Sequence, residues 1–468
     1  MRAGALVFRE LTAAAGDLAL LDRLYADLYV PEFPDEDERE SLENIRRYLA
    51  LKAQGWYGRN NYHVVVAQRR EQGIGLSISD YLAVPKAGVI EFLVVAGEAR
   101  GEGFGAKLLA KTEALFVADA ARNGDALSCI AAEMNDPFKS PLDDSLDPFR
   151  RAVVWGRWGY RRLDFPYVQP ALSGNKNAVA NLLLMAKPMR HRYRAELPAA
   201  LVKDLLCQYM IWAMRIADPQ ANPVYDAMRR YLDAHAEVSI QSLGAYVGRD
   251  PAKPLHVREV GGPDDADAGA VLAVYRDCFP AGPAAVRPEE FTRAAHQSGY
   301  HLWAIRRKER GRVEGMASFF GFEAAGFGGY VALAGSLRRT GRFALLLARI
   351  EEQMRRDAAG ARGLYIECDP AKEPFFRHFG FFTVDCTYRQ PPLSGREQYA
   401  VSDAPPLVLM YKDFGRNYGS PAVSVSDFLT TMRAIFRLVY DAPEGSPFYA
   451  DLEAQASSWM SKTIRFRP

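Results

Sequence analysis

The chain repeats itself, and this internal repeat constrains its fold more than any other feature of the sequence. Tyr62-His63 recurs as Tyr300-His301, 238 residues later, and each pair begins an apolar run that ends in charged residues. At the same spacing, Phe92–Gly97 matches Tyr330–Gly335. An ordered series of such matches predicts two copies of one domain. A length of 468 residues, which is too long for one ordinary core, agrees with this prediction.

Further along the chain the spacing shortens, but the matches continue. The clearest is between Tyr167–Gly174 and Tyr388–Gly395, which both carry a Gln-Pro pair and a Leu-Ser-Gly end. A Gly- and Pro-containing stretch near residues 245–255 predicts the boundary between the copies. The expected organisation is an N-terminal domain over 1–195, a helical tail and linker over 196–250, a second domain over 251–415 and a second helical tail over 416–468.

The hydrophobic pattern of each half predicts a mixed α/β domain. In the first half we expect helices over 17–29, 40–54, 103–119 and 148–158. The expected strands cover 6–10, 63–68, 75–81, 89–96, 127–133, 161–166 and 179–185.

Composition and charge argue against several classes of protein. The 59 basic and 57 acidic residues leave a net charge of +2, which gives no reason to expect a nucleic-acid partner. The most apolar run, residues 205–217, is too short to span a bilayer and contains Gln208 and Arg215, so no membrane role is expected. Five scattered cysteines without CxxC or CxxH spacing predict reduced thiols, no metal site and a cytoplasmic location.

The stretch from Ile90 to Leu109 is the one that carries chemistry. A predicted strand ends in Arg100-Gly-Glu-Gly-Phe-Gly105 and passes directly into an amphipathic helix. Glycines let the backbone approach a ligand, and the N–H groups at a helix N-terminus attract an anion, so a pyrophosphate site is predicted. A dinucleotide fold would need glycine at Ala106, and a phosphate-binding Walker loop would need a Lys-Ser/Thr pair; neither pattern fits.

What this stretch resembles is motif A of the GNAT superfamily of N-acyltransferases, written (Arg/Gln)-x-x-Gly-x-(Gly/Ala). Arg100, Gly103 and Gly105 occupy its three defined positions. The resemblance implies the α/β (α+β) class: two tandem GNAT acyl-CoA N-acyltransferase folds, each a mixed, mostly antiparallel sheet flanked by helices, with helical tails. It also implies acetyl-CoA or another acyl-CoA as co-substrate, no metal, and a small amine or amino-acid-like acceptor that attacks the thioester directly.

The resemblance also assigns roles to residues. Those implied in binding the co-substrate are Val94, Val95, Arg100, Gly101, Glu102, Gly103, Phe104, Gly105, Ala106 and Asn135. Glu91, on the same strand face as Leu93 and Val95 by period-two alternation, is a candidate general base, and the alternative is an ordinary strand-end carboxylate. Glu133 is a second catalytic candidate, but its retention as Glu367 in the other copy favours a structural role equally.

The proton donor for the departing thiolate is not evident. Many GNAT enzymes use a tyrosine in a Tyr-x-x-x-Gly-Phe turn, but Trp155 and Phe376 stand at that position in the two copies. Tyr160 and Tyr167 lie nearby in sequence, and water is a further candidate, because a thiol with a pKa of about 8.5 needs little help. His63 and His301 are equivalent in both copies, which favours packing or strand-end hydrogen bonding over catalysis.

The two copies are expected to be unequal. Glu91 and Gly105 of the first copy correspond to Gly329 and Phe343 in the second, so the first copy is predicted to be the active one. Alternatives are transfer from a longer acyl-CoA, a carrier-protein thioester or an aminoacyl-tRNA, or a non-catalytic CoA-binding or scaffolding protein. The first helical tail, apolar almost all round over 205–217, is expected to be buried between domains or in a homodimer.

Overall fold

The computed structural model describes residues 6–142, 145–172, 176–279, 286–393, 398–459 and 462–467. These residues form two units, one from those up to 136 and between 143 and 243, the other from 137–142 and those from 244 onwards. Each unit has its own mixed sheet flanked by helices, which confirms the two α/β domains expected from the repeat. Residues 173–174 and 394–395, at the ends of the two Leu-Ser-Gly matches, lie outside the described part of the chain.

The first unit contains nine described strands and seven described α-helices. The strands are β1 (Leu6–Glu10), β2 (Asn61–Arg69), β3 (Gln72–Leu82), β4 (Ala87–Val95), β5 (Cys129–Asn135), β6 (Arg161–Leu163), β7 (Leu182–Pro188), β8 (Glu196–Pro198) and β9 (Glu237–Ser242). The helices are α1 (Ala15–Leu24), α2 (Val30–Glu32), α3 (Leu42–Ala53), α4 (Phe104–Arg122), α5 (Pro148–Arg157), α6 (Ala199–Trp212) and α7 (Pro223–Asp233). A wider helical turn, Tyr25–Tyr29, joins α1 to α2.

The strand order of the first sheet is β1-β2-β3-β4-β5-β7-β6-β9-β8, and every neighbouring pair is antiparallel except β4 and β5. The parallel pairing of β4 with β5 ends at Ile90 and Ala132. Both strands continue beyond that point, to Val95 and Asn135. The two strands therefore diverge and leave a cleft open at their carboxyl ends.

The second unit repeats this plan. The unit boundary falls within a short helix, α8 (Leu243–Tyr246). The strands of the second unit are β10 (His256–Glu259), β11 (Tyr300–Arg306), β12 (Gly315–Gly321), β13 (Gly326–Leu333), β14 (Gly363–Cys368), β15 (Phe382–Thr383) and β16 (Val408–Asp413). Its further helices are α9 (Ala268–Cys278), α10 (Pro288–Arg293), α11 (Arg342–Asp357), α12 (Glu373–His378), α13 (Val425–Leu438) and α14 (Pro447–Ser457). The order is β10-β11-β12-β13-β14-β16-β15, and here β13 and β14 are the parallel pair. Their pairing ends at Gly328 and Ile366, so this sheet diverges at the equivalent place.

The apolar tail of the first unit folds back onto that unit's own sheet. Val202, Leu205 and Leu206 of α6 are buried in one cluster with Ala131 of β5 and Leu184 of β7. Burial of these side chains accounts for the apolar sequence of α6 within one unit. The expected homodimer through this tail stays a prediction.

Among the described helices, none has the length and apolar character needed to cross a bilayer. The five cysteines are all free thiols. Within the described residues, no three His, Cys, Asp or Glu side chains converge as a metal site would require.

Candidate functional site

The glycine-containing loop lies where β4 leaves the sheet. After β4 the chain makes a single tight turn over Gly97–Ala99, and Gly101 and Gly103 then adopt left-handed backbone with φ of 87° and 78°. Residues with a side chain rarely adopt this conformation, which explains the two glycines. A Cβ placed on either one would meet no atom within 4 Å, so the loop faces open space. Since no described side chain caps the 19-residue helix α4, its first N–H groups are available to an anion.

A cavity of about 580 Å³, called the loop cavity below, lies between this loop, the diverging strands and α5. Nine of the ten residues expected to bind the co-substrate line it: Val94, Val95, Arg100, Gly101, Gly103, Phe104, Gly105, Ala106 and Asn135. The tenth, Glu102, is not among the lining residues and pairs with Arg69 at 3.0 Å.

Helix α5 supplies lining residues that the sequence reasoning missed. Arg150, Arg151 and Arg157 line the loop cavity and give it positive charge. The ring of Trp158, directly after α5, lies 3.3 Å from where a Cβ on Gly105 would stand. Any side chain at position 105 would therefore enter the gap between the loop and this ring. The clustering of arginines in α5 was the available signal.

The Arg100 side chain holds the loop together. Its Nε donates to the Val95 carbonyl at 3.0 Å, one Nη donates to the Ser145 carbonyl at 3.0 Å, and the other pairs with Glu32. The arginine of the motif therefore stabilises the loop through its side chain, while the loop's backbone faces the cavity.

Glu91 lies at a bulge in β4. Ile78 pairs with Phe92 and Ser79 with Ile90, so Glu91 has no residue opposite it. The period-two alternation expected to run through residues 91–95 is therefore interrupted at Glu91. The bulge brings the Glu91 carboxyl against that of Asp80, on β3. Burial, together with the negative charge of Asp80, raises the pKa of Glu91 well above its usual range.

Several polar atoms around this carboxyl pair are buried and have no hydrogen-bond partner. They include one oxygen each of Asp80 and Glu91, and Nε and one Nη of Arg215. Arg215 follows α6, has a left-handed φ of 57°, donates to the Tyr57 hydroxyl at 2.7 Å and lies 4.2 Å above the centre of the Tyr48 ring. Its positive charge lowers the pKa of both carboxyls and so partly offsets the effect of burial.

Glu133, the second catalytic candidate, lies just past the point where β5 leaves β4. The hydroxyls of Tyr167 and Tyr209 both donate to its carboxylate. Burial raises the pKa of Glu133 to about 7, although the two hydroxyls act to lower it. In the second unit Glu367 accepts from Tyr388 and Tyr440, and burial raises its pKa to about 7 as well.

A second, smaller cavity of about 70 Å³, the glutamate pocket, adjoins the loop cavity. Four carboxylates line it: Glu38, Glu40, Glu91 and Glu133. The two cavities share a wall that includes Glu91, Glu133 and Asn135. The candidate base and the second candidate thus lie at the junction of a large, partly basic cavity and a small acidic one.

The aromatic side chains at and near the expected proton-donor position contact other groups of the first unit. Trp155 lines the loop cavity and stacks edge-on against Tyr160, with ring centres 4.7 Å apart. The Tyr160 hydroxyl donates to Glu113 of α4 at 3.1 Å, and the Tyr167 hydroxyl donates to Glu133. Burial raises the pKa of both tyrosines well above the usual range.

The two equivalent histidines make equivalent hydrogen bonds. His63 bridges Glu10 and Asp119, each at 2.7 Å, and is almost wholly buried. His301 bridges Glu259 and Asp357, at 3.1 and 3.0 Å. Neither lines the loop cavity or the glutamate pocket. Of the roles considered for the two histidines, strand-end hydrogen bonding is therefore the one that fits both.

Solved structures that the chain resembles are GNAT acetyltransferases. A tandem GNAT protein from the clavulanic acid biosynthesis pathway is 14% identical over 88% of this chain and 100% of its own, with a TM-score of 0.28. A GNAT family acetyltransferase from Elizabethkingia anophelis with acetyl-CoA bound is 13% identical over 39% of this chain and 98% of its own, with a TM-score of 0.25. The S18-alanine N-acetyltransferase of Escherichia coli is 10% identical over 40% of this chain and 94% of its own, with a TM-score of 0.26.

No protein-family description matches the chain, and no curated protein is similar to it in sequence.

Proposed function

We propose that the first unit is an N-acyltransferase that takes an acyl group, acetyl above all, from coenzyme A and transfers it to a primary amine. One observation carries the proposal: the diverging ends of β4 and β5 separate an open, uncapped glycine loop from an acidic pocket, with Glu91 on the wall between them. The glycine loop suits a phosphate-bearing donor, and the acidic pocket suits a protonated amine.

The loop cavity supplies what the donor would need. The backbone N–H groups at Gly101–Ala106 would hold the pyrophosphate, and the arginines of α5 would add positive charge. Val94 and Val95, on the end of β4 that has left β5, would flank the pantetheine arm, and Asn135 would contact it from β5. Since Gly101 and Gly103 have nothing within 4 Å of a Cβ, the cradle leaves room for such a group.

In the proposed reaction the carboxyl pair of Glu91 and Asp80 takes a proton from the acceptor's ammonium group. The freed amine nitrogen forms a bond to the acyl carbon while the carbon–sulfur bond breaks, and the second proton that this nitrogen loses passes through water to the departing thiolate. Such a base works best when its pKa lies near the working pH, and burial of Glu91 beside Asp80 shifts its pKa in that direction. Two tyrosine hydroxyls hold the carboxylate of Glu133 on β5. In this proposal Glu133 helps to fix the shape of the site where the two cavities meet.

Two measurements on the full chain test this proposal. Calorimetry should show saturable acetyl-CoA binding, which Gly103→Trp abolishes because its side chain would require a left-handed backbone and would enter the cradle. Glu91→Gln should keep that affinity but lower the rate of acetyl transfer to an amine by about 10²- to 10⁴-fold.

The matched control is Glu43→Gln, an exposed position in the first turn of α3, which should change neither quantity. Absence of acetyl-CoA binding would refute the proposal. Binding together with an unchanged rate in Glu91→Gln would remove Glu91 from the mechanism. Binding with no transfer to any amine would favour a CoA-binding protein without this activity.

A further inference from the structure

The glutamate pocket differs from the rest of the site in its charge. Besides its four glutamates, its described lining residues are apolar or uncharged, and none of them is Lys, Arg or His. Glu91 touches a further carboxyl group, that of Asp80. Two of these glutamates, Glu91 and Glu133, have raised pKa values because burial makes their negative charge costly. A positively charged ligand would relieve that cost, whereas an anionic one would increase it.

Two buried polar atoms at the pocket lack a hydrogen-bond partner. One is Oε1 of Glu91, and the other is Nε2 of Gln169, a residue that is only 3% exposed. Both residues line the pocket. The matching glutamine of the second unit, Gln390, donates instead to the Tyr440 hydroxyl at 3.2 Å. Since buried polar groups are nearly always hydrogen-bonded, the two atoms of the first unit point to a polar ligand there.

We infer that the acceptor is a cationic amine whose neighbouring groups are neutral or positively charged, such as a diamine or polyamine, and not an amino acid. This inference rests on the proposed function and narrows its acceptor. The reacting ammonium group lies against Glu91, and Glu38 and Glu40 attract the rest of the cation. Gln169 donates to an uncharged oxygen or binds through its own oxygen, since its amide can turn over.

The size of the pocket agrees with this class of acceptor. About 70 Å³ holds an amino group and the carbon next to it, so further groups of the acceptor extend past Glu38 and Glu40. A carboxylate on the acceptor would be brought close to these side chains in a partly desolvated place. Repulsion between like charges is strong at such short range. It therefore disfavours α-amino acids more than larger amines whose other groups are uncharged.

Three four-carbon amines that differ only in their far end test the inference: 1,4-diaminobutane, butylamine and 4-aminobutanoate. Each is titrated into the full chain by calorimetry, with and without saturating coenzyme A. The diamine should bind most tightly and 4-aminobutanoate at least about tenfold more weakly than butylamine, because only the far-end charge changes. Where acetyl transfer is measurable, kcat/KM should follow the same order.

Substitutions identify the pocket as the source of this preference. The double variant Glu38→Gln, Glu40→Gln should lose the preference for the diamine by about tenfold or more without changing coenzyme A affinity. Glu36→Gln is the matched control, since Glu36 is in the same segment with its side chain 85% exposed. It should keep the wild-type order.

The outcomes separate the two proposals. If coenzyme A binds but 4-aminobutanoate binds as well as the diamine, or the diamine does not bind at all, the inference is wrong while the proposed function stands. Failure to bind coenzyme A overturns the proposed function, and the titrations without coenzyme A then still decide whether the pocket selects cations. A preference that persists in the double variant also contradicts the inference.

Discussion

The two units share the shape of their strand-to-helix loop but not its surroundings. In the first, Arg100 Nε donates to the Val95 carbonyl at 3.0 Å, and in the second Arg338 Nε donates to the Leu333 carbonyl at 2.7 Å. The second unit even keeps the left-handed backbone with an arginine, Arg339, at φ 58°, which is costly for a residue with a side chain. In both units the loop is thus tied to the end of the preceding strand by the side chain of its arginine.

What differs is the space in front of the loop. Gly105 lies close to the Trp158 ring, and both line the loop cavity. At the equivalent place the Phe343 ring packs against Phe375 and Phe379, with centres 5.2 and 4.7 Å apart. In the second unit the loop therefore contributes a ring to an aromatic cluster, whereas in the first it has a glycine that lines the loop cavity. The comparison teaches that the same loop backbone can have different side chains in front of it.

The carboxyl pair is the second difference. In the second sheet Phe320 pairs with Phe327 as Asp80 pairs with Val89 in the first, and Gly329 is at the bulge that Glu91 occupies. Both carboxyls are thus absent from the second unit, although the bulge itself remains. Both differences assign the proposed chemistry to the first unit.

Placing a phenylalanine in the first unit should produce the largest effect. Gly105→Phe would drive a ring into Trp158, since a Cβ alone would already lie 3.3 Å from that side chain. We expect acetyl-CoA affinity to fall by about 100-fold or more, because overpacking a close contact costs up to about 3 kcal/mol and the ring also occupies the cavity. Calorimetry measures this directly.

The matched control changes the second unit instead. Phe343→Leu keeps an apolar side chain in the aromatic cluster and should leave acetyl-CoA affinity as it is in the wild type. If the control lost affinity and Gly105→Phe kept it, the assignment of the two units would have to be reversed.

Removing the negative charge of Asp80 should produce the next largest effect. Glu91 must be ionised to accept a proton, and Asp80 raises its pKa by repulsion. In Asp80→Asn that repulsion is gone, so the pKa of Glu91 falls and the acid limb of kcat/KM moves to lower pH by about one unit. The measurement is the pH profile of acetyl transfer.

A merely structural role for Asp80 would lower the rate at every pH without moving the limb. Asp125→Asn serves as the control, because Asp125 pairs with Lys86 on the surface of the same unit. Its profile should coincide with that of the wild type.

The sequence predicted the duplication and the element order, and nine of the ten residues that it assigned to co-substrate binding line the loop cavity. These features are local, because they depend on hydrophobic periodicity and on glycine spacing within one strand–turn–helix. The pairing of Glu91 with Asp80 could not be predicted in the same way. It depends on a bulge that shifts the register between two strands, and a single sequence shows no sign of that shift.

The remaining site residues are brought in by the tertiary fold. Tyr209 and Arg215 belong to the helical tail, more than a hundred residues after Glu91, yet they reach Glu133 and the Tyr57 hydroxyl. The tail's apolar sequence indicated burial but not against which surface. Contacts of this kind depend on how α6 packs on its own sheet, and periodicity carries no information about that.

Glu133 and Glu367 provide the smallest and most symmetrical test. Burial raises the pKa of each from 4.5 to about 7, so each carboxyl holds a proton in the folded state that the unfolded chain releases. The free energy of unfolding should therefore fall as the pH rises from 4.5 to about 7, by roughly 3 kcal/mol per glutamate. Glutamine cannot ionise, so Glu133→Gln and Glu367→Gln should each remove a similar part of that pH dependence in denaturant titrations.

An equal effect of the two substitutions means that both glutamates have the same structural role in their tyrosine pairs. If Glu133→Gln also lowered kcat much more than acetyl-CoA affinity, while Glu367→Gln did not, Glu133 would have a catalytic role that Glu367 lacks.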